Sequence, residues 1–226
     1  MNKATLEKIR DEYKSASGAV SKRIIVCAGT GCIANGSLAV YDALKDAVEK
    51  LGASLFVELE LDRHDCKDKV HLSHSGCQGF CAQGPLVNIL PDETMYVKVK
   101  PEDALEIIQK TVLGNEVIDR LLYVNPANGE KSRGQLDIPF YKLQNRLVLG
   151  ECGHVDPENI REYISHNGYF AAEKVYNSMT DEQVCNQILE SGLRGRGGGG
   201  FPTGRKWHLT RVVEADKKYV ICNGDE

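Results

Sequence analysis

Two close pairs of cysteines constrain this chain more than anything else in its sequence. Cys27 and Cys32 have four residues between them, Cys77 and Cys81 have three, and 44 residues separate the pairs. Both pairs lie in stretches of small residues, AGTGCIANG directly after Cys27 and GCQGFCAQGP around the second pair. Any fold that uses the four together must carry two short loops to one place. How the eight cysteines are read depends on the compartment. The N-terminal MNKATLEKIRDEYK is charged throughout and lacks the apolar core of a signal peptide. No apolar stretch approaches a membrane span. The chain therefore reads as cytoplasmic, where disulfides are disfavoured and clustered cysteines read first as metal ligands or redox groups. Net charge is −4, so there is no basic excess to neutralise phosphates and nucleic acid is not an expected partner.

Four thiolates, two on each iron, are what a [2Fe–2S] cluster requires. A short loop can wrap one iron and supply both of its ligands. Gly29, Gly31, Gly76 and Gly79 suit such loops, because the backbone must come close and its N–H groups can point at sulfur. The spacing thus nominates Cys27, Cys32, Cys77 and Cys81 as cluster ligands. A four-cysteine zinc site is the metal alternative, although structural zinc usually takes tighter pairs. Four inert thiols, or two disulfides, are the bland alternative. His71 and His74 flank the second loop and raise a Rieske-type arrangement, in which imidazoles replace two thiolates. Cys66, Cys152, Cys185 and Cys222 have no partner at ligand spacing and read as buried thiols.

The pattern around the cysteines predicts an α/β domain. Residues 3–15 read as an amphipathic helix, and 15–21 as a hinge. RIIVC at 23–27 reads as a strand. Ser37 is a plausible N-cap for a helix with Leu38, Tyr41, Leu44, Val48 and Leu51 at helical steps and Gly52 as its stop. Leu55, Val57, Leu59 and Leu61 alternate with glutamates, as in a strand. Strands are also expected over 86–90 and 95–99, then a helix from Pro101 to Val112 ended by Gly114. NPANGEKSRGQ reads as a linker or surface loop. Beyond it, helices are expected over 157–167 and from the Thr180–Gln183 capping box to about Ser191, a basic helix near 206–213, and a strand over 219–222.

With these residues in view, the first half resembles the thioredoxin-like [2Fe–2S] ferredoxins, over about residues 22–113. The domain found in NADH dehydrogenases and NAD-linked hydrogenases is the nearest likeness. Plant-type ferredoxins differ, since their first three cysteines crowd into one loop.

The second strong feature is SGLRGRGGGGFPTGRKW, residues 191–207. Glycine backbone N–H groups and the cations Arg194, Arg196, Arg205 and Lys206 suit a phosphate. It is neither a Walker motif nor a G-x-G-x-x-G following a strand. Its composition also fits a flexible Arg-Gly segment of the kind that binds RNA, though it occurs once only and in an acidic chain. On chemistry alone it reads as a nucleotide or flavin phosphate loop.

Together with the terminal CNGDE, this stretch resembles the flavin- and NADH-binding subunit of respiratory complex I, and equally the beta subunit of NAD(P)-linked, electron-bifurcating [FeFe] hydrogenases. The resemblance implies FMN contacts from Gly195, Arg196, Gly197, Lys206, Asn223 and Asp225. It implies nicotinamide contacts from Gly198, Gly199, Phe201 and Lys206. The expected architecture is then a helix and hinge at 1–21, a thioredoxin-like domain at 22–113, a linker at 114–140, and a partial, truncated FMN-binding α/β domain at 141–226. The function implied is electron transfer between NAD(P)H, FMN and iron–sulfur clusters, beside other iron–sulfur subunits of a hydrogenase or dehydrogenase complex. A non-catalytic electron carrier or assembly module is the rival.

Overall fold

Strand β1 (Lys22–Cys27) is the spine of the first unit. Its four C-terminal residues are buried, so it reads as the apolar run RIIVC rather than as an alternation. In the computed structural model, which describes residues 2–52, 54–56, 69–147 and 149–221, β1 is the middle of a five-stranded sheet of order β2-β3-β1-β4-β5. The other strands are β2 (Ser54–Phe56), β3 (Lys69–Ser75), β4 (Val87–Leu90) and β5 (Thr94–Tyr96). β3 runs parallel to β1 with Cys27 opposite Ser75, and β4 runs antiparallel with Val26 opposite Val87. The sheet is therefore mixed. Because β1 and β3 are parallel, the chain leaves both at the same sheet edge, and both cysteine loops begin there.

Helix α1 (Lys3–Gly18) buries Leu6, Tyr13 and Ala16. A short helix, α2 (Thr30–Ala34), stands where a loop of small residues is expected, and α3 (Ser37–Lys50) follows. Ser37 is the first helical residue of α3 rather than its N-cap. Gly36 takes the cap position with φ +91, a left-handed geometry glycine adopts at no steric cost. Val40, Leu44 and Val48 of α3 share one core with Ile24, Val26, Leu72 and Ile89 of the sheet and with Ile107, Ile108 and Val112. Those last three belong to a continuous helical run. It opens as a 3-10 turn at Pro101–Asp103, continues as α4 (Ala104–Glu106) and is π-wound over Ile107–Leu113. The strand expected over 55–61 is seen at Ser54–Phe56; its remainder, and Cys66, lie outside the described residues.

Two differences from the sequence pattern bear on the site. The first is β3, which the pattern does not predict. It carries Val70 and Leu72 among His71, Ser73 and Ser75, and all five are buried. The second is the segment 115–142, which takes in nearly all of the linker expected at 114–140 and is docked on the sheet. Val97 N–H donates to the Leu121 carbonyl (2.9 Å), Met95 N–H to that of Arg133 (2.8 Å), and Ile118 N–H to the Tyr96 hydroxyl (3.0 Å). The segment forms a small hairpin, β6 (Tyr123–Val124) with β7 (Lys131–Ser132), and then α5 (Pro139–Lys142). Helix α6 (Ile160–Ser165) follows. From it Glu162 forms a buried ion pair with Arg23 of β1 (2.6 Å). The chain from Ala4 to Gly168 is one compact unit.

Apart from the first residues, the second unit runs from Tyr169 onward. It contains α7 (Phe170–Ser178), α8 (Asp181–Glu190) and α9 (Thr203–Arg211). The capping box at the start of α8 forms as its spacing predicts: Gln183 N–H donates to Thr180 Oγ1 (3.2 Å), and Thr180 N–H donates to Gln183 Oε1 (2.9 Å). The strand expected over 219–222 is not formed over 219–221. Tyr219, Val220 and Ile221 are exposed and have no sheet partner among the described residues.

Candidate iron–sulfur site and glycine loop

The two cysteine loops lie face to face. A β-carbon added to Gly29 would stand 2.8 Å from the Cα and Cβ of Cys77 and 3.1 Å from its sulfur. One added to Gly31 would stand 2.9 Å from Cys81 Cβ and 3.0 Å from its sulfur. One on Gly84, just past the second loop, would come within 2.6 Å of Cys32 Sγ. These three glycines are small because cysteine atoms occupy the space a side chain would fill. Gly84 carries no signal in the sequence, whereas Gly76, nominated there, has nothing within 4 Å of an added carbon. Gly79 serves differently: at φ +83 it turns its N–H onto Cys77 Sγ (3.3 Å).

The pairs differ in environment. Cys27 and Cys32 are 1% and 0% exposed, in an apolar cluster with Leu86, Met95, Val97, Tyr123, Ile138 and Tyr141. Cys77 is half-buried and Cys81 is exposed. A hydrogen bond with Cys27, burial and the charge of Cys27 push the Cys32 thiol far above its ordinary range. Two such thiols side by side cannot both ionise without a cation to compensate them. All six described cysteines are thiols. Among the described residues no three His, Cys, Asp or Glu side chains gather closely enough for one metal ion.

A buried polar chain fixes the second loop, and sequence reasoning missed it. Gln78, 0% exposed, donates through Nε2 to Ser75 Oγ (3.1 Å) and accepts from Asn88 Nδ2 (3.0 Å). The residue between Cys77 and Gly79 is thereby tied to both β3 and β4. Of the two histidines considered as ligands, His71 is buried on β3, where burial and then the nearby Arg23 push it down to about 3. His74 stacks on Tyr41, ring centroids 3.9 Å apart.

In the second unit the glycine loop is a closed turn. Thr203 N–H donates to the Leu193 carbonyl and Gly195 N–H to that of Phe201, both at 2.9 Å. Arg194 Nε donates to the Gly200 carbonyl (2.7 Å) and Arg196 to that of Arg194 (2.9 Å). Gly195, Arg196, Gly197, Gly198 and Gly199 thus share one turn, with Gly198 at φ +104 and Gly200 at φ +58. Phe201 and Lys206 line an open groove of about 590 Å³ with Thr210, Val213, Lys218 and Tyr219. Asn223 and Asp225 lie outside the described residues. Gly204 sets the base of the turn: a β-carbon there would stand 2.3 Å from Leu189 N, so α9 crosses α8 backbone to backbone.

Comparison with known proteins matches two segments of the chain. Residues 13–112 match the thioredoxin-like [2Fe–2S] ferredoxin family. Residues 188–226 match the Nuo51 FMN-binding domain. The chain is 48% identical over 85 residues to NADP-reducing hydrogenase subunit HndC of Solidesulfovibrio fructosivorans, covering 38% of this chain and 17% of that protein. It is 30% identical over 211 residues to the NAD-reducing hydrogenase HoxS subunit alpha of Cupriavidus necator, covering 90% of this chain and 30% of that protein. It is 42% identical over 71 residues to the F subunit of NADH-quinone oxidoreductase from Escherichia coli, covering 31% of this chain and 16% of that protein. The chain thus spans less than a third of the length of each of these relatives. Among solved structures, the thioredoxin-like [2Fe–2S] ferredoxin from Aquifex aeolicus aligns over 47% of this chain and 100% of its own at 26% identity, with a TM-score of 0.37. No described helix is long and apolar enough to cross a membrane. Two segments of the chain are thus similar to known families, residues 13–112 to thioredoxin-like [2Fe–2S] ferredoxins and residues 188–226 to the Nuo51 FMN-binding domain, and the relatives it resembles are subunits of NADH-quinone oxidoreductases and NAD(P)-reducing hydrogenases.

Proposed function

We propose that this chain is the electron-transfer part of an NAD(P)H-linked iron–sulfur flavoprotein oxidoreductase, of the hydrogenase or NADH dehydrogenase type. Cys27, Cys32, Cys77 and Cys81 hold the [2Fe–2S] cluster. Gly195, Arg196, Gly197, Lys206, Asn223 and Asp225 serve FMN. Gly198, Gly199, Phe201 and Lys206 serve the nicotinamide nucleotide. The observation that carries the reading is the meeting of the two cysteine loops across Gly29, Gly31 and Gly84, which no scattered set of thiols would require. When bound, the cluster supplies a one-electron store, and FMN the exchange between a hydride pair and single electrons.

The chain's own residues do the rest. The apolar cluster around Cys27 and Cys32 excludes water, and the Gly79 N–H donates to Cys77 sulfur. The glycine turn presents backbone N–H groups and cations where a phosphate can sit. The setting is the cytoplasm, and the partners are further iron–sulfur subunits and NAD(P)H. By itself the chain is expected to bind FMN weakly or not at all and to lack NADH dehydrogenase activity. A [2Fe–2S] protein should carry about two irons and two sulfides per chain, with visible absorbance bleached by dithionite. Colourless protein after reconstitution refutes the cluster assignment. A fluorescence-quenching titration with FMN tests the other half, and submicromolar affinity would show that these residues already complete the pocket.

A further inference from the structure

Half of the buried residues clustered with Cys27 and Cys32 follow the ferredoxin-family match, which ends at 112. Tyr123, Ile138 and Tyr141 lie in the same cluster as the two cysteines, and Phe80, from the second cysteine loop, packs against that cluster. Phe80 is held by aromatic rings of the same late segment. Its ring stacks on Phe140 with centroids 4.8 Å apart and planes 12° apart, and it meets Tyr123 and Tyr141 at 5.5 Å each. Phe140 in turn meets Tyr141 edge-on at 5.2 Å. The segment has its own anchors on β5 and beyond: the Met95–Arg133 and Val97–Leu121 backbone bonds, and Arg133 Nε donating to Thr94 Oγ1 (3.0 Å). It is a strap fastened at its base, which grips the cysteine loop through three rings, of which Phe140 alone is exposed.

We propose that residues 115–142 latch the cysteine site shut, with Phe140 as the positioning residue that clamps Phe80 and so keeps the second cysteine loop seated over Cys27 and Cys32. The pattern of contacts carries this. α5 reaches the second cysteine loop through aromatic contacts, so removing the Phe140 ring should loosen the loop without unfolding the sheet. The proposal places the cluster at the four cysteines, but its primary test does not depend on any iron being present.

The test uses the full chain, stripped of metal and reduced, with Phe140→Ala and Phe140→Tyr. Each cysteine's alkylation by iodoacetamide is followed by mass spectrometry. Urea unfolding followed by circular dichroism reports unfolding of the unit that holds the sheet; Cys185, buried in the other unit, reports unfolding there, and exposed Cys81 reports reagent reactivity. Losing an aromatic pair should raise the open population, and hence labelling of Cys27 and Cys32, by about 2- to 10-fold. Cys185 should be unchanged, and Phe140→Tyr should match the wild type. In reconstituted protein, iron release to a chelator should quicken by the same factor in Phe140→Ala alone. Unchanged labelling of Cys27 and Cys32, a parallel rise at Cys185, or a urea midpoint lowered enough to account for the labelling by itself, overturns the latch. Wild-type protein that takes up no iron refutes the cluster reading instead, and the labelling result still decides the latch.

Discussion

Gly84→Ala isolates what close approach contributes to this site. Gly84 has φ −69 and ψ 159, extended backbone that any residue adopts, so alanine adds no backbone strain. The only change is one methyl group placed 2.6 Å from Cys32 Sγ and 3.3 Å from the Cys81 carbonyl oxygen. Reaching even 3.0 Å, a separation real β-carbons essentially never undercut, means moving that sulfur or Gly84 by about 0.4 Å. Cys32 is 0% exposed, so the surrounding core must shift with it. Overpacking of this kind costs about 1–3 kcal/mol, and metal sites hold ligand distances to within about 0.2 Å. The metal-free variant should therefore lose about 1–3 kcal/mol in urea unfolding. Its iron and sulfide content after reconstitution should fall several-fold. Gly76→Ala, with open space around the added carbon, should keep both properties. A Gly84→Ala chain with full cluster content and wild-type unfolding would refute the steric argument.

Replacing Cys27, Cys32, Cys77 or Cys81 singly by serine should abolish or severely weaken iron and sulfide retention, while Cys66→Ser and Cys152→Ser keep it; a full complement in any of the first four removes that residue as a ligand. Gln78→Leu strips Asn88 Nδ2 and Ser75 Oγ of their bonds to Gln78; it should cost about 1–3 kcal/mol and speed cluster loss, read by unfolding and by chelator competition. His71 is held neutral at about 3 in the fold by burial and then by Arg23, against an ordinary 6.5. The unfolded chain therefore binds the extra proton between those values: the contribution is complete above pH 6.5 and lost as pH falls below it, by up to about 1.4 kcal/mol per unit. His71→Phe should flatten the fall in metal-free stability between about pH 6.5 and 5, and curves parallel to the wild type would count against this.

What the sequence disclosed was local, and what it concealed was tertiary. The apolar steps of α3 and the Thr180–Gln183 box each lie within a few turns of chain, and the corresponding structures form. β3 was hidden because it is buried on both faces yet carries polar residues. Ser73 accepts from Arg23 and Ser75 from Gln78, so a buried strand reads as a mixed loop. The strap was hidden because its anchors Ile118, Leu121, Tyr123, Ile138 and Tyr141 follow no period among turn formers. Gln78 and Gly84 carry no motif at all. Their roles come from β3, β4 and Cys32, which only the folded sheet brings to them.

The paired backbone bonds at the base of the glycine turn change the entropy of any ligand it meets. With Leu193–Thr203 and Gly195–Phe201 already joined, binding need order little more than the tip, residues 196–200. At roughly 1–2 kcal/mol of backbone entropy per ordered residue, that is about 5–10 kcal/mol, against more than twice as much for a free coil over 192–204. The close crossing of α8 and α9 at Gly204 thus acts before any ligand arrives. A bulkier residue there would be felt as weaker phosphate binding, although Gly204 itself need touch no phosphate.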